Sequence, residues 1–574
     1  YIGAVQDSAN SQMGGTATNT GLIQADRGSI SMTGKHVLQK GILESTTSVD
    51  VNGRIDLLAS YNALPNTAFD PVKPSTGSPF LNQSTGYVEM GKDSLQRILP
   101  EWHSLKTIAS SSLPLRSQFN ATGQAIFMAT GSTIIAPRAN VSFHSGKWIY
   151  QPSPTTPVST FVHSEGQIYL DADSLIDVSG SMDVAIPIEH SILKIQLRGA
   201  ELADSPLQRS TSLRGVSLTM DMRKRGTYLG RDWVGTPLGD VSGYLNLIER
   251  NVGQLTLEGG DVSLNAGSSV VVRQGATIDA SGGFSKNEAG NTQTTRLRFG
   301  SGLIDIADAT PDRIYGEIYD GTSTSTSSKW GVSETYRAAL APMGAANQKE
   351  YISGANAGSI LISAPSINLD GNLAGRRVIG PRQARSSASK STLPQGGSLT
   401  LAYEAQDSNA SRPINQFGAI SPFPPTITFS QSPLISEPGG FSIDANDKPK
   451  ESTNIHRREV ALSTNLLGED TFTSLKIRNG DGSVLIPKDA PLDIPLGGAL
   501  TIKSANVSLD GSINAPGGTV SLTAFTFSPY DGAFLNVANG DKLPSVNPDR
   551  GWIRLAKDST INAAGRIVDD RPTS

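Results

Sequence analysis

The sequence predicts an all-β fold: a parallel β-helix with triangular coils of about 20 residues, interrupted by irregular insertions that contain short helices. Three observations predict it. Residues 259–283 (GGDVSLNAGSSVVVRQGATIDASGG) hold three short pieces, Val262-Ser263-Leu264, Val270-Val271-Val272 and Thr277-Ile278-Asp279, with small residues at the corners between them. Alternation of apolar and polar side chains marks half-buried strands, and Gly, Ala, Ser or Asn let the chain bend between them. Residues 497–524 (GGALTIKSANVSLDGSINAPGGTVSLTA) repeat the pattern. There Leu500 to Val520 spans twenty residues, so three strands and three corners close one coil. Finally, charged residues make up only 17%, against about 25% in ordinary domains. Stacked coils place like positions side by side, which suits hydroxyl and amide groups better than charges.

The other bulk properties narrow the function classes. Net charge is −4, pI is near 6.0, and Lys and Arg form no long run, so a nucleic-acid partner has no electrostatic support. Cysteine is absent, which excludes disulfides and thiolate metal sites. No apolar run approaches the ~20 residues of a spanning helix, so the chain is not expected to be membrane-spanning. It begins at Tyr1 without an initiator Met or a signal-peptide pattern, and reads as a segment of something longer.

In chain order, residues 1–60 read as β-helix coils, with Ile30/Met32, Val49/Val51 and Ile55/Leu57 as inward pairs and Val49 one coil after Ile30. Residues 61–120 read as an insertion with a short helix: Leu95, Ile98, Leu99 and Trp102 fall on one helical face, and Asp93 is placed to cap it. Pro100 is expected to kink or shorten that helix. Residues 121–180 resume the coils through Ile126/Met128, Ile134 and Val141/Phe143. Residues 181–258 form an insertion subdomain with strands at 193–197 and 216–221 and a short helix near 242–252. The coil at 259–283 precedes a second insertion, 284–356, whose Ser/Thr tract at 322–328 reads as an exposed loop. Coils at 357–402, a Pro-rich insertion at 403–495 with a strand-like stretch at 440–444, and coils at 496–574 complete the chain. If half to two-thirds of the chain is coil, about 15–19 coils stack into a rod of roughly 70–90 Å.

Catalytic signatures are missing. His36, His103, His144, His163, His190 and His456 never pair at metal-site or helical spacing, and neither a nucleophile elbow nor a phosphate loop occurs. Asp171, Asp173 and Asp177, with Asp305 and Asp308, are the acidic candidates that β-helix polysaccharide lyases and hydrolases would use. Asp beside Gly at a corner is ordinary turn chemistry, as at Asp370-Gly371 and Asp510-Gly511, and that reading is preferred. Asn479-Gly-Asp-Gly-Ser483 resembles a calcium-loop fragment but lacks the repeat, and reads as a hairpin turn. The Asn-x-Ser/Thr sites at Asn82, Asn120, Asn140, Asn409 and Asn506 are as frequent as this composition produces by chance. No catalytic, cofactor-binding or metal residue is therefore assigned, and no cofactor is expected.

Residues 21–59 (GLIQADRGSISMTGKHVLQKGILESTTSVDVNGRIDLLA) resemble the repeats of filamentous-haemagglutinin-type exoproteins of bacterial two-partner secretion. A more specific series follows in order: GSMDV at 180–184, RGAELADSPLQR at 198–209, LRG at 213–215, DMR at 221–223, TTRL at 294–297, DIADATPDRIYG at 305–316 and WGVSETY at 330–336. These resemble a module of very large members of that family. The resemblance implies a right-handed parallel β-helix, exported through an outer-membrane partner barrel. It also implies display at the bacterial cell surface or release as an extracellular adhesin or matrix fibre. The expected partners are that barrel, host or cell-surface glycans or proteins, and further copies in a fibre or biofilm matrix. No enzymatic activity is implied; the competing reading is a β-helix that binds or cleaves polysaccharide.

Overall fold

The computed structural model describes residues 2–3, 15–66, 68–73, 79–113, 115–153, 157–319, 322–327, 332–337, 345–385, 393–404, 424–432, 435–452, 454–529 and 547–565. Three parallel sheets define the body, and the chain visits them in turn. Asp261–Ala266 lies in the first sheet, Ser269–Val272 in the second and Thr277–Asp279 in the third, as residues 259–283 predict. Each strand pairs with the equivalent strand of the coils before and after. Val141 lies between Phe119 and Val262, Ile168 between Ile126 and Val270, and Ile176 between Ile134 and Ile278. These apolar side chains point inward and stack into one continuous core. The fold is a parallel β-helix, stabilised by local coil-on-coil burial rather than by long-range closure.

Leu500 pairs with Val520 at the predicted twenty-residue step. Elsewhere the step stretches: Ile30 stacks on Ile55, not on Val49, because an extra corner loop intervenes. Val49 belongs instead to a small side cluster with Leu113, Val252 and Leu255, and Val51 is exposed. Ten strands follow one another along the first sheet from Ser29–Thr33 to Thr519–Ala524. At ~4.8 Å per step that stack is about 43 Å long, shorter than the expected rod, because the insertions take a larger share of the chain. Coils cross so closely at Gly358 that a Cβ there would lie 1.7 Å from the Gly260 carbonyl oxygen.

Several expected elements differ. The proposed helix at 93–105 is a strand, Leu95–Pro100, paired on both sides with Ile42–Thr47 and Thr133–Ile135. Two ready-made edges outweigh the helical spacing, and Asp93 turns a corner at φ 56° instead of capping a helix. Tyr87–Met90 precedes it in the second sheet, so residues 61–120 include most of a coil and not only an insertion. Residues 403–495 likewise contain the coil strands Thr426–Ser430, Glu459–Ser463 and Phe472–Ile486. Asn479–Ser483 is not a hairpin, because the chain pairs in parallel with Ala499–Leu509 on either side of it. It is a corner, held by the buried Asn479 amide donating to the Pro425 carbonyl at 2.7 Å. Residues 440–444 form only an isolated bridge, Ile443 to Pro449. Of the Ser/Thr tract, Thr322–Ser327 is a strand antiparallel to Val332–Arg337, and residue 328 lies outside the described residues. Within 121–180 the coil also carries a hairpin, Lys147–Gln151 with Val158–Val162, that alternation alone did not announce.

Candidate contact surfaces

The two central insertions fold together. The strands Ile192–Gln196 and Ser217–Asp221, close to the predicted 193–197 and 216–221, form an antiparallel pair. Ser242–Leu247 is a 3-10 helix and Val252–Leu255 a single α-turn, where one short helix is predicted. Leu197, Leu202, Leu213, Met220, Leu297 and Ile306 then close a second hydrophobic core, separate from the coil stack. Thr295 joins the insertions: its amide donates to the Thr219 carbonyl at 2.8 Å, and its hydroxyl accepts from the Thr219 amide at 2.7 Å.

The sequence series 198–209, 221–223 and 305–316 converges in this subdomain, and its polar members brace the backbone. Fully buried Gln208 donates from Nε2 to the carbonyls of Pro311 at 3.2 Å and Arg313 at 2.5 Å. Arg209 donates to the Leu202 carbonyl at 3.0 Å, and Arg223 clamps buried Asp221 through two contacts of 2.9 Å. The Tyr315 hydroxyl accepts from the Thr310 amide at 2.7 Å and donates to its carbonyl at 2.9 Å. Asp305 accepts from the Ala307 amide at 2.9 Å and caps the short turn that carries Asp308. Of WGVSETY, residues 330 and 331 lie outside the described residues, and the remainder falls in the strand Val332–Arg337.

Replacing Gln208 by Ala is expected to weaken this subdomain by about 1–3 kcal/mol, because buried carbonyls lose their donor. Limited proteolysis should then cut faster within 298–316, with the coil strands unchanged. Uniform protection in the variant would show that Gln208 does not brace the loop.

The outside of this subdomain carries apolar side chains the core does not absorb: Leu229 is 86% exposed, Ile314 64% and Leu247 60%. Arg313 lies over the ring of half-exposed Phe299 at 5.0 Å. The first sheet presents a different surface. One outward column runs through Ser31, Asn120, Ser142, Ser263, Thr400 and Thr501, interrupted by Asp56, Leu361 and Lys476.

The histidines and acids are placed as follows. His144 and His163, nineteen residues apart, meet at 3.0 Å between Nδ1 and Nε2, a pairing the sequence reading missed. They meet because the hairpin Lys147–Gln151 with Val158–Val162 leaves the coil just after His144 and returns just before His163. Burial, and then the neighbouring His163, push His144 down to about 4. His36 faces Asp447 at 3.1 Å, His456 faces Glu451 at 2.7 Å, His190 contacts Gln254 at 3.2 Å, and His103 is exposed. Asp171 accepts from Arg273 at 2.8 Å and Thr130 at 2.9 Å, Asp177 from the Ser179 amide at 2.9 Å, and Asp173 turns a corner at φ 59°. Asp370 accepts from the Ser436 amide at 2.7 Å, and Asp510 meets Arg554 at 3.0 Å. Among the sequon asparagines, Asn120 donates to Asp56 at 2.8 Å and Asn506 to the Asp549 carbonyl at 2.9 Å. Arg116 reaches Asn140 at 3.4 Å, the Asn82 carbonyl accepts from the Ser159 hydroxyl, and Asn409 lies outside the described residues. Among the described residues no three His, Asp or Glu side chains are grouped to hold a metal ion, and no helix is long and apolar enough to cross a membrane.

The fold and these surfaces define a solenoid with an appended subdomain. The chain matches no family model, no curated protein and no solved structure.

Proposed function

We propose that this chain is a structural and adhesive exoprotein of the filamentous-haemagglutinin kind. It would be exported through an outer-membrane partner barrel and act at the bacterial surface or in the extracellular matrix. In this reading the β-helix is a stalk and the insertions are contact surfaces. The observation that carries it is the division of the surface. Large apolar side chains stand out on the inserted subdomain, at Leu229, Leu247 and Ile314, while the first sheet, short of its last strand Ile553–Leu555, turns mainly hydroxyl and amide groups outward. Exposed apolar groups rimmed by Arg are the usual material of a protein contact. On the first sheet that hydroxyl face offers no row of acids or bases for polysaccharide cleavage.

Electron microscopy of native material, on cells and in culture supernatant, tests the reading. Thin rods at cell surfaces are expected for an adhesin stalk, and continuous fibres with an axial repeat for a matrix polymer. Material confined to the cell interior would defeat both. Release of reducing ends or unsaturated sugars from a polysaccharide panel would replace the reading with the enzymatic one.

A further inference from the structure

The chain leaves the coil strand Thr426–Ser430, returns at Glu459–Ser463, and between them doubles back along the outside of the second sheet. The Ile455 carbonyl takes hydrogen bonds from Ser366 at 2.5 Å and Asn368 at 2.9 Å, at the strand Ser366–Leu369. Further along, the Phe441 ring stacks on Phe127 with centroids 4.4 Å apart and planes 9° apart. The Gly439 carbonyl accepts from the Tyr169 hydroxyl. At the far tip, Asp447 lies 2.9 Å from the Lys35 ammonium and 3.1 Å from His36, on the strand His36–Gln39 near the opposite end of the sheet. On the return, Glu451 accepts from Ser268 at 2.6 Å and Ser269 at 2.5 Å.

Little apolar surface seals this strap. Tyr169, Val271 and Ile455 are its buried apolar contacts, with Phe127 and Phe441 beside them, in a cluster apart from the main core. The strap is held chiefly by hydrogen bonds and ion pairs, and a segment with few buried apolar contacts opens more readily than the coils beneath it. What it offers the sheet is a flat ring and two carboxylates in an extended row. What the sheet offers in return is aromatic faces, paired hydroxyls and, at the Lys35 ammonium, a cationic end. A chain of sugar rings bearing carboxylates carries the same groups: C–H faces for Phe127 and Tyr169, and acids for Lys35 and Ser268. Glu165, met by Lys448 of the strap at 3.0 Å, keeps Lys147 at 3.1 Å when the strap leaves.

We infer that the outer face of the second sheet, from Lys35 to Ser269, binds an acidic polysaccharide of the polyuronate type and is occupied in cis by the strap. The inference rests on the adhesive reading and goes beyond it, because it adds a ligand face on the stalk itself. Tethering gives the strap a high effective concentration, so the face is closed until the strap is displaced.

Two substitutions at one ion pair test this, with a soluble polyuronate as probe and neutral dextran as control, at fixed low salt. Asp447→Asn and Lys35→Ala break the same contact. A pair with only a structural role moves binding the same way in both variants. Here Asp447→Asn weakens the internal competitor while leaving the face intact, so polyuronate affinity rises by roughly tenfold over the unmodified chain. Lys35→Ala removes a group that holds the ligand, so affinity falls to the dextran level. Movement of both variants in one direction, no gain in Asp447→Asn, or equal binding of dextran and polyuronate would each overturn the inference. None of these outcomes bears on whether rods or fibres are seen by microscopy, so the adhesive reading stands or falls separately.

Discussion

Phe143→Ala is expected to destabilise the coil stack by about 3–5 kcal/mol. Phe143 is completely buried in an inward column between Ala121 of the preceding coil and Leu264 of the next. Its ring fills the space that small Ala121 leaves, and it packs near Phe119 with centroids 6.1 Å apart. After truncation two alanines would face each other across the column. The gap cannot collapse, because hydrogen bonds on both sides of Asn140–Ser145 fix the spacing of the strands. Ser142, one residue earlier, points outward, and Ser142→Ala should stay within about 0.5 kcal/mol. Denaturant midpoints compare the two. Hydrogen exchange should show the Phe143 loss concentrated in neighbouring coils, since a solenoid's stability is summed over adjacent repeats. Equal effects of the two substitutions would refute the inward column.

Acidification from pH 7 to pH 4.5 is expected to cost about 2–3 kcal/mol through His144. In the unfolded chain a histidine titrates near 6.5, whereas burial and His163 hold His144 at about 4 in the fold. The unfolded state therefore binds the proton first as pH drops. The stabilisation is complete above about 6.5 and is lost progressively down to about 4. Half-buried His190 is also lowered, chiefly by desolvation, and adds a smaller slope of the same sign. Carboxylates such as Glu101, held down mainly by Arg27, lose their contribution only below the usual carboxylate range. His144→Asn keeps a polar partner for His163 without the titration. Denaturant midpoints between pH 7 and 4.5 should flatten in that variant, and an unchanged slope would exclude His144 as the source.

Where alternation was clean, the sequence reading succeeded. Val262/Leu264, Val270/Val272 and Ile278 occupy three successive faces, as their spacing requires, because period-2 burial is a local property. It failed at Leu95–Pro100 for an identifiable reason. An inward position there is Gln96, buried and donating to Ser94 at 2.9 Å, so the apolar alternation is broken and a helical spacing shows through. The Ser/Thr tract failed differently: among the described residues Thr322–Ser327 pairs with Val332–Arg337 alone, and a two-stranded hairpin sets no apolar alternation in its sequence.

The surfaces were legible only as locations. Residues 198–209 and 305–316 stood out as a series, yet nothing in their order shows that Gln208 grips the carbonyl of Arg313, because that contact joins segments more than 100 residues apart. The strap is the same case, since Tyr169 and Gly439 are separated by 270 residues. By itself the sequence determined the coil: short strands, small corners and low charge are requirements met locally, and the twenty-residue step appears where no insertion lengthens it, as from Leu500 to Val520. Only the tertiary structure decided how the insertions merge around a second core, where the strap lies and which histidines touch. Those depend on contacts between distant segments whose burial leaves no period in the chain.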